Sequence, residues 1–398
     1  MSEWQKLKDV VVKIVGGGTP SRKNDEYYHG DIPWVTVKDL IATSISDAQE
    51  KITPQAIQES AANLIPKGNV IIATRMALGK AFINEVDVAI NQDLKALIPN
   101  KEKIIPKYLL YTYLSNKEKI EGLGSGTTVK GIRLEQVNEL KMFVPSLEEQ
   151  KKITTILSTV DKAIEKTEAI IEKTEKVKKG LMQQLFTKGI GHVKFKKTEI
   201  GEIPENWKVI MMGEAIELIS GQSSSSNEVN YEHKGIAYVT GPEQWNGYHI
   251  EEMKWVENPR KIAKENSIFI TVKGSGVGKI FLGGYYAIGR DVMAIVPLES
   301  INKDYLYYLV LYQAQQIVSN KVGIVPGISR SDILEFKFGL PKIEEQVRIS
   351  KLLTNLDEKL TIEKNKHLKL RELKNGLMQS LLTGKVRVKI DETEVTQV

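Results

Sequence analysis

The 398-residue chain contains no cysteine. That removes a disulfide framework, a thiolate metal site and a thiol nucleophile, and it fits a reducing compartment. No apolar run approaches the roughly 18 residues of a membrane span. The opening stretch, MSEWQKLKDVVVKIVGGG, lacks the apolar core and cleavage site of a secretory signal. A cytoplasmic chain with no membrane partner is the expectation. Histidine is scarce, and His29, His192, His233, His249 and His367 show no ligand spacing. Surface or core places suit them better than a metal.

Catalytic signatures are missing as well. TVKGSGVGKI resembles a phosphate loop, but Lys273 stands where the first glycine belongs and Ile280 where Ser or Thr belongs. GGGTPSRKN (16–24) fails the dinucleotide-binding spacing, and no Gly-x-Ser-x-Gly elbow occurs. The Asn/Asp-Pro-Pro-Tyr/Phe run of amino-methyltransferases is absent; ENPRKI is the nearest approach. As an enzyme the chain looks empty. No catalytic residue, no metal ligand and no cofactor is assigned to it.

What remains is ordinary in bulk: 41% hydrophobic and 27% charged residues, with a net charge of +6. That balance describes a soluble globular protein of two or three domains and permits nucleic-acid binding without establishing it. The informative feature is a repeat. Residues 144–189 return as residues 340–385 at a constant offset of 196, the distance from Pro145 to Pro341. Both copies open with Pro-x-x-Glu-Glu-Gln and close with Gly-Leu-Met-Gln.

Each copy reads as one helix. Ile153, Leu157, Val160, Ile164, Ile171, Leu181 and Leu185 fall at steps that make an a/d seam. Ile349, Leu353, Leu356, Leu360, Leu370, Leu377 and Leu381 do the same in the second copy. Ser146 with Glu149 predicts a capping box, while Gly189 and Gly384 are stops. About 40 residues make a rod roughly 60 Å long. Thr167, Thr174, Glu363 and His367 interrupt the seam, and such polar positions set register. Gly180 and Gly376 lie inside the helical pattern, where a close approach of another backbone is expected. Two matched seams in one chain most simply pair with each other, and parallel pairing stays open.

The segments between the helices mix short strands and helices without a βαβ alternation, which reads as α+β. Residues 1–143 form the first unit, with runs VVVKIV, WVTV, VIIAT, VAIN and LKALIP and a helix PKYLLYTYLSNKEKIEGL. Residues 190–339 hold a basic linker and a diverged second version. Trp4 matches Trp207, NVIIATRMALGKAFI matches NSIFITVKGSGVGKIFL, and KGI (130–132) matches PGI (326–328). Matched strands with unmatched loops describe one scaffold carrying two surfaces. The tail, 386–398, continues a segment similar to the lead-in of Trp207, so it is expected to fold back and make the chain nearly circular.

Two diverged α+β units, each closed by Pro-x-x-Glu-Glu-Gln and a long helix ending Gly-Leu-Met-Gln-x-Leu, resemble the DNA-specificity subunit of type I restriction–modification systems. The resemblance spans nearly the whole chain. It implies two target-recognition domains, each reading half of a split double-stranded DNA sequence, separated by paired helices. It further implies two methyltransferase subunits using S-adenosylmethionine, and restriction/translocase subunits using ATP and Mg. The expected arrangement is an antiparallel coiled coil, which would give the repeat a pseudo-twofold axis and so match half-site spacing to protein geometry as in dimeric DNA readers. Two rivals are a coiled-coil adaptor with two protein-binding domains and a self-contained methyltransferase.

Basic side chains on equivalent loops are the expected DNA contacts: Arg75 and Lys80 in the first unit, Lys273 and Lys279 in the second. Arg22, Lys23, Lys38, Gln244, Arg290 and Arg330 are further candidates. Trp34, Trp245 and Trp255 are candidate base-stackers, with a core role favoured for Trp34. Gln150, Gly180, Gln346 and Gly376 are the expected seats of the partner subunits.

Overall fold

A computed structural model describes residues 3–126, 129–247, 249–274, 276–319 and 327–389. Four helices carry the architecture: α1 (Pro106–Ser115), α2 (Leu147–Lys188), α3 (Lys303–Ser319) and α4 (Ile343–Leu381). The chain divides into two compact units, Met1–Glu168 with Asn365–Val398, and Ala169–Lys364. Each unit holds one half of α2 and one half of α4.

In the first unit a mostly antiparallel sheet orders its strands as Val11–Gly16, Leu94–Pro99, Val70–Ala73, Ala81–Asn84 and Ser44–Ile45. A second sheet orders Glu50–Ile52, Ile32–Val35, Val88–Ile90 and Asn63–Ile65. The second unit repeats the first of these with Ile216–Ser220, Val292–Pro297, Ile268–Thr271 and Ile280–Leu282. The parallel pair Ile32–Val35/Val88–Ile90 returns as Ile236–Val239/Ala287–Ile288. The architecture is α+β, as the absence of a βαβ pattern implied. The expected helix over 106–123 is two pieces, α1 and Lys117–Leu123. Asn116 breaks it, its side chain donating to the Thr112 carbonyl (2.8 Å).

Each core is closed by both long helices. Tyr108, Leu109 and Tyr113 of α1 are buried with Ile153 and Leu157 of α2 and with Met378 and Leu381 of α4. In the second unit Tyr305, Leu306 and Leu309 of α3 meet Ile349 and Leu353 of α4 and Met182, Leu185 and Phe186 of α2. Burying a Leu or Phe side chain contributes about 2 kcal/mol, so neither core is complete without a segment far away in sequence. Of the predicted seams, Ile153, Leu157, Ile164, Leu185, Ile349, Leu353, Leu360 and Leu381 are buried, and Val160, Ile171, Leu181, Leu356, Leu370 and Leu377 are half-buried. Thr167 and Thr174 lie inside them, and each hydroxyl is satisfied by the carbonyl four residues back.

Within each unit the two helices run antiparallel. In the first, Lys374 meets Asp161 (2.6 Å) and His367 meets Glu168 (2.7 Å); in the second, Lys178 meets Asp357 and Lys364 meets Glu175 (2.7 Å). Asp161 also accepts the Tyr111 phenol (2.6 Å), and Asp357 accepts that of Tyr308 (2.8 Å). The same Tyr–Asp–Lys set therefore joins a globular helix to both long helices in each unit. Burial pushes both phenols well above their ordinary range, which keeps them donors.

The two helix starts are clasped alike. Glu149 accepts from Arg387 Nε (3.0 Å) and Nη2 (2.8 Å) and from the Val388 N–H (3.1 Å). Glu345 accepts from His192 Nε2 (2.7 Å), the Ile190 N–H (3.1 Å) and Trp207 Nε1 (3.0 Å). Gly189 (φ 65°) and Gly384 (φ 72°) turn the chain into these clasps. The tail thus folds back as far as Lys389; residues 390–398 lie outside the described residues, as does Pro326 of the matched PGI.

The capping box is corrected: Ser146 Oγ accepts the Glu149 N–H (3.3 Å), but the Glu149 carboxylate is turned to Arg387. The Trp4–Trp207 match is one of sequence only. Trp207 is buried, whereas Trp4 is half exposed. A Cβ on Gly339 would meet the Trp207 ring at 2.6 Å, and the repeat places Phe143 at that position. Phe143 fills in the first unit the volume that Gly339 leaves for Trp207.

Candidate nucleic-acid interface

In the first unit, loop 74–80 joins the strands Val70–Ala73 and Ala81–Asn84. It is fastened along its length: the Thr74 N–H donates to Asp93 O (2.8 Å), the Ile132 N–H to Thr74 O (2.9 Å) and the Met76 N–H to Lys130 O (3.1 Å). Lys80 Nζ donates to Leu40 O (3.2 Å). Beside the loop lies an open cleft of about 520 Å³ lined by Arg75, Met76, Asp93, Ser125, Val129 and Arg133, among others. Arg75 is exposed at its mouth. Burial, with Arg75 nearby, pulls the Lys95 ammonium below its ordinary value.

The second unit places an equivalent loop at 272–279, of which Ser275 lies outside the described residues. The Val272 N–H donates to Asp291 O (2.8 Å), the Ile328 N–H to Val272 O (3.0 Å) and the Lys279 N–H to Gly276 O (3.0 Å). Lys273 and Lys279 are exposed. Lys279 leads into the strand Ile280–Leu282 rather than a helix, so this loop has no helix N-terminus to offer a phosphate. A shallow cleft of about 350 Å³ is lined by Pro242, Trp245, Lys279, Phe281 and Leu311, among others. Trp245 leans on Phe281, centroids 5.8 Å apart, with one side toward the cleft.

The structure thus places Arg75 and Lys80 on one loop and Lys273 and Lys279 on its equivalent. Lys23 and Lys38 are exposed elsewhere on the first unit. Arg290 is 73% exposed, 3.9 Å from Asp291. Arg22 is engaged: it stacks on Tyr28 (4.2 Å) and Trp34 (5.2 Å) and pairs with Glu50 (2.7 Å). Arg330 is spent on Leu218 O (3.0 Å) and Ser220 Oγ (2.8 Å). Gln244 is corrected to a buried loop brace, donating to Tyr238 O (2.9 Å) and accepting the Thr240 N–H (2.8 Å). Trp34 is buried, its indole N–H on Gly18 O (3.1 Å), and Trp255 is buried beneath His233; neither offers a face to a base. Arg133 and Lys130, beside Arg75, were missed. Lys130 belongs to the matched KGI and Arg133 follows it directly, so the charge of that segment was the signal.

The expected partner seats divide. Gln150 is fully buried: its Nε2 donates to Lys103 O (2.8 Å) and Pro145 O (2.9 Å), and its Oε1 accepts the Ile105 N–H (2.9 Å). Gln346 does the same with Ser300 O, Pro341 O and the Asn302 N–H. Both are hooks that hold the globular unit to the helix start, with no atom left for a partner. Gly180 and Gly376 behave otherwise. A Cβ on either meets nothing within 4 Å, so no backbone among the described residues passes closely there. Both are exposed, one turn after Val177 and Leu373, each 51% exposed.

Among the described residues, no cluster of His, Asp or Glu is arranged to hold a metal, and no helix is long and apolar enough to cross a membrane. Residues 1–176 and 204–372 match the family model of the type I restriction modification DNA specificity domain. The chain is 31% identical to the putative type I restriction enzyme MjaX specificity subunit of Methanocaldococcus jannaschii, over 97% of this chain and 94% of that protein. Its fold is similar to the crystal structure of a type I restriction-modification S subunit from M. genitalium (TM-score 0.60, 18% identity, 95% of each chain). A structure from work on complex assembly and conformational transition of the type I R-M system is also similar, with TM-score 0.64, 19% identity and 96% and 98% of the two chains covered.

Proposed function

The chain belongs to the type I restriction modification DNA specificity family, as a specificity subunit with two target-recognition domains, and on that premise we propose that each domain reads one half of a two-part target in double-stranded DNA. The observation that carries this is the pair of basic loops. Two equivalent hairpins present Arg75 and Lys80 in one unit and Lys273 and Lys279 in the other, and each is fastened by a matching pair of backbone hydrogen bonds: Thr74 to Asp93 and Ile132 in the first, Val272 to Asp291 and Ile328 in the second. Cationic loop side chains contact phosphates and the guanine edge. Fixed backbones with different side chains give two different readings from one scaffold.

The chain itself supplies recognition and docking, and the chemistry belongs to its partners. Two methyltransferase subunits take S-adenosylmethionine, and restriction/translocase subunits take ATP and Mg. The exposed faces around Gly180 and Gly376 suit two copies of one partner. Glycine inside a helix costs about 1 kcal/mol against alanine, and nothing among the described residues uses the space it leaves. A close-packed helix of the partner would.

Co-expression with the methyltransferase and sequencing of modified adenines tests the reading. Wild type is expected to mark a two-part motif with a fixed gap. Changing Lys273 and Lys279 to Ala relaxes or abolishes one half only; equal damage to both halves would count against separate readers.

A further inference from the structure

We propose that Met76 is a specificity-determining residue that packs on the 5-methyl group of a thymine in the half-site read by the first recognition domain; this rests on the DNA-reading function above. Three observations converge on it. Met76 has φ 61°, a left-handed backbone that residues with a Cβ seldom adopt. The Ala77 N–H donates across it to Arg75 O (2.6 Å), closing a tight three-residue turn. Its side chain is 67% exposed, so it contributes little to the core.

The second unit shows what the backbone alone requires. Thr74 and Val272 make equivalent bonds to Asp93 O and Asp291 O, so Arg75 aligns with Lys273 and Met76 with Gly274. Gly274 has φ 80° with open space where a Cβ would be. Glycine takes this conformation freely. The first unit keeps a methionine there against that preference, with the loop held by the Met76 N–H on Lys130 O and the Ile132 N–H on Thr74 O. What the strain retains is the side chain.

That side chain sits at the mouth of the cleft shared with Arg75 and Arg133. A basic residue entering the major groove brings its neighbour on the turn to the base edges. The apolar group presented there is the thymine methyl. An unbranched, polarisable methionine adapts to such a contact.

The experiment uses the complex of this chain with its methyltransferase. Met76→Gly removes the side chain and the strain together, so the chain is expected to fold and to hold its partner as wild type does. Modification maps should then show discrimination relaxed at one base pair of one half-site, roughly fourfold, the worth of one buried methyl. The other half-site stays unchanged. Deoxyuridine in place of that thymine weakens wild-type binding by the same factor and leaves Met76→Gly indifferent. An unaltered motif in Met76→Gly, a loss of partner, or a wild-type complex insensitive to deoxyuridine would overturn the assignment. A wild-type complex that marks no two-part motif would instead overturn the function, and this assignment with it.

Discussion

Replacing Glu345 with Leu removes one acceptor from three donors. Trp207 Nε1, the Ile190 N–H and His192 Nε2 all converge on this carboxylate, which is 5% exposed. The donors do not suffer equally. Trp207 is 1% exposed and has no route to water, so its indole N–H is left unpaired at about 1–3 kcal/mol. The His192 side chain is 19% exposed and turns outward at little cost. Ile190 is half-buried and falls between them. Relief from desolvating the carboxylate offsets part of the loss. The net expectation is destabilisation of the second unit by about 3 kcal/mol, and by about 1 kcal/mol for Glu345→Gln, which keeps a carbonyl oxygen. Equilibrium urea unfolding gives the magnitude, and hydrogen exchange read by mass spectrometry gives the place. Protection should fall at residues 189–210 and at the start of α4, with Ile153 and Leu157 untouched. A Trp207→Phe/Glu345→Leu double mutant should show coupling of about 1–2 kcal/mol. A change under about 1 kcal/mol, or equal loss of protection in both units, would refute the clasp as described.

Glu149 carries the matching clasp in the first unit. Arg387 beside it, and the Val388 N–H, hold its carboxyl below the usual range. A lowered folded pKa contributes stability that is present above the unfolded value and lost as pH falls through the folded one. Acid unfolding of the first unit should therefore begin below about pH 4.5, and Glu149→Gln should flatten that limb; an unchanged acid limb would refute it. Gly180→Leu with Gly376→Leu should reduce co-purification of the methyltransferase while circular dichroism and urea midpoint hold or rise; full stoichiometry would remove these faces as seats. Adding one heptad to each long helix, between Thr167 and Thr174 and between Glu363 and Leu370, keeps the seam in phase and adds about 10 Å. Any active variant should keep both half-sites and widen the gap by roughly three base pairs; an unchanged gap would mean the helices are not the spacer.

The repeat was legible in the residues because periodicity is local. Steps of three and four from Ile153 to Leu185 state which face of a helix is apolar, whatever that face meets. The strands and their matched loops were legible for the same reason, and so was the pairing of Arg75 and Lys80 with Lys273 and Lys279. Local pattern does not say which distant segment completes a core. Gln150 and Gln346 were conspicuous as repeated residues, yet only the folded chain shows that they are consumed by backbone groups of residues 103–105 and 300–302. Arg22, Arg330 and Gln244 look like their exposed neighbours in sequence, and closure of the fold decides which cations and amides stay free. Antiparallel pairing was likewise undetermined, since an apolar seam has no direction; the charges of Lys374 and Asp161, and of Lys178 and Asp357, acquire one only when the helices lie side by side. The sequence by itself determined a duplicated scaffold with two different loop surfaces. The tertiary structure decided what holds it, because hydrogen bonds and buried charges depend on which atoms closure brings within 3 Å.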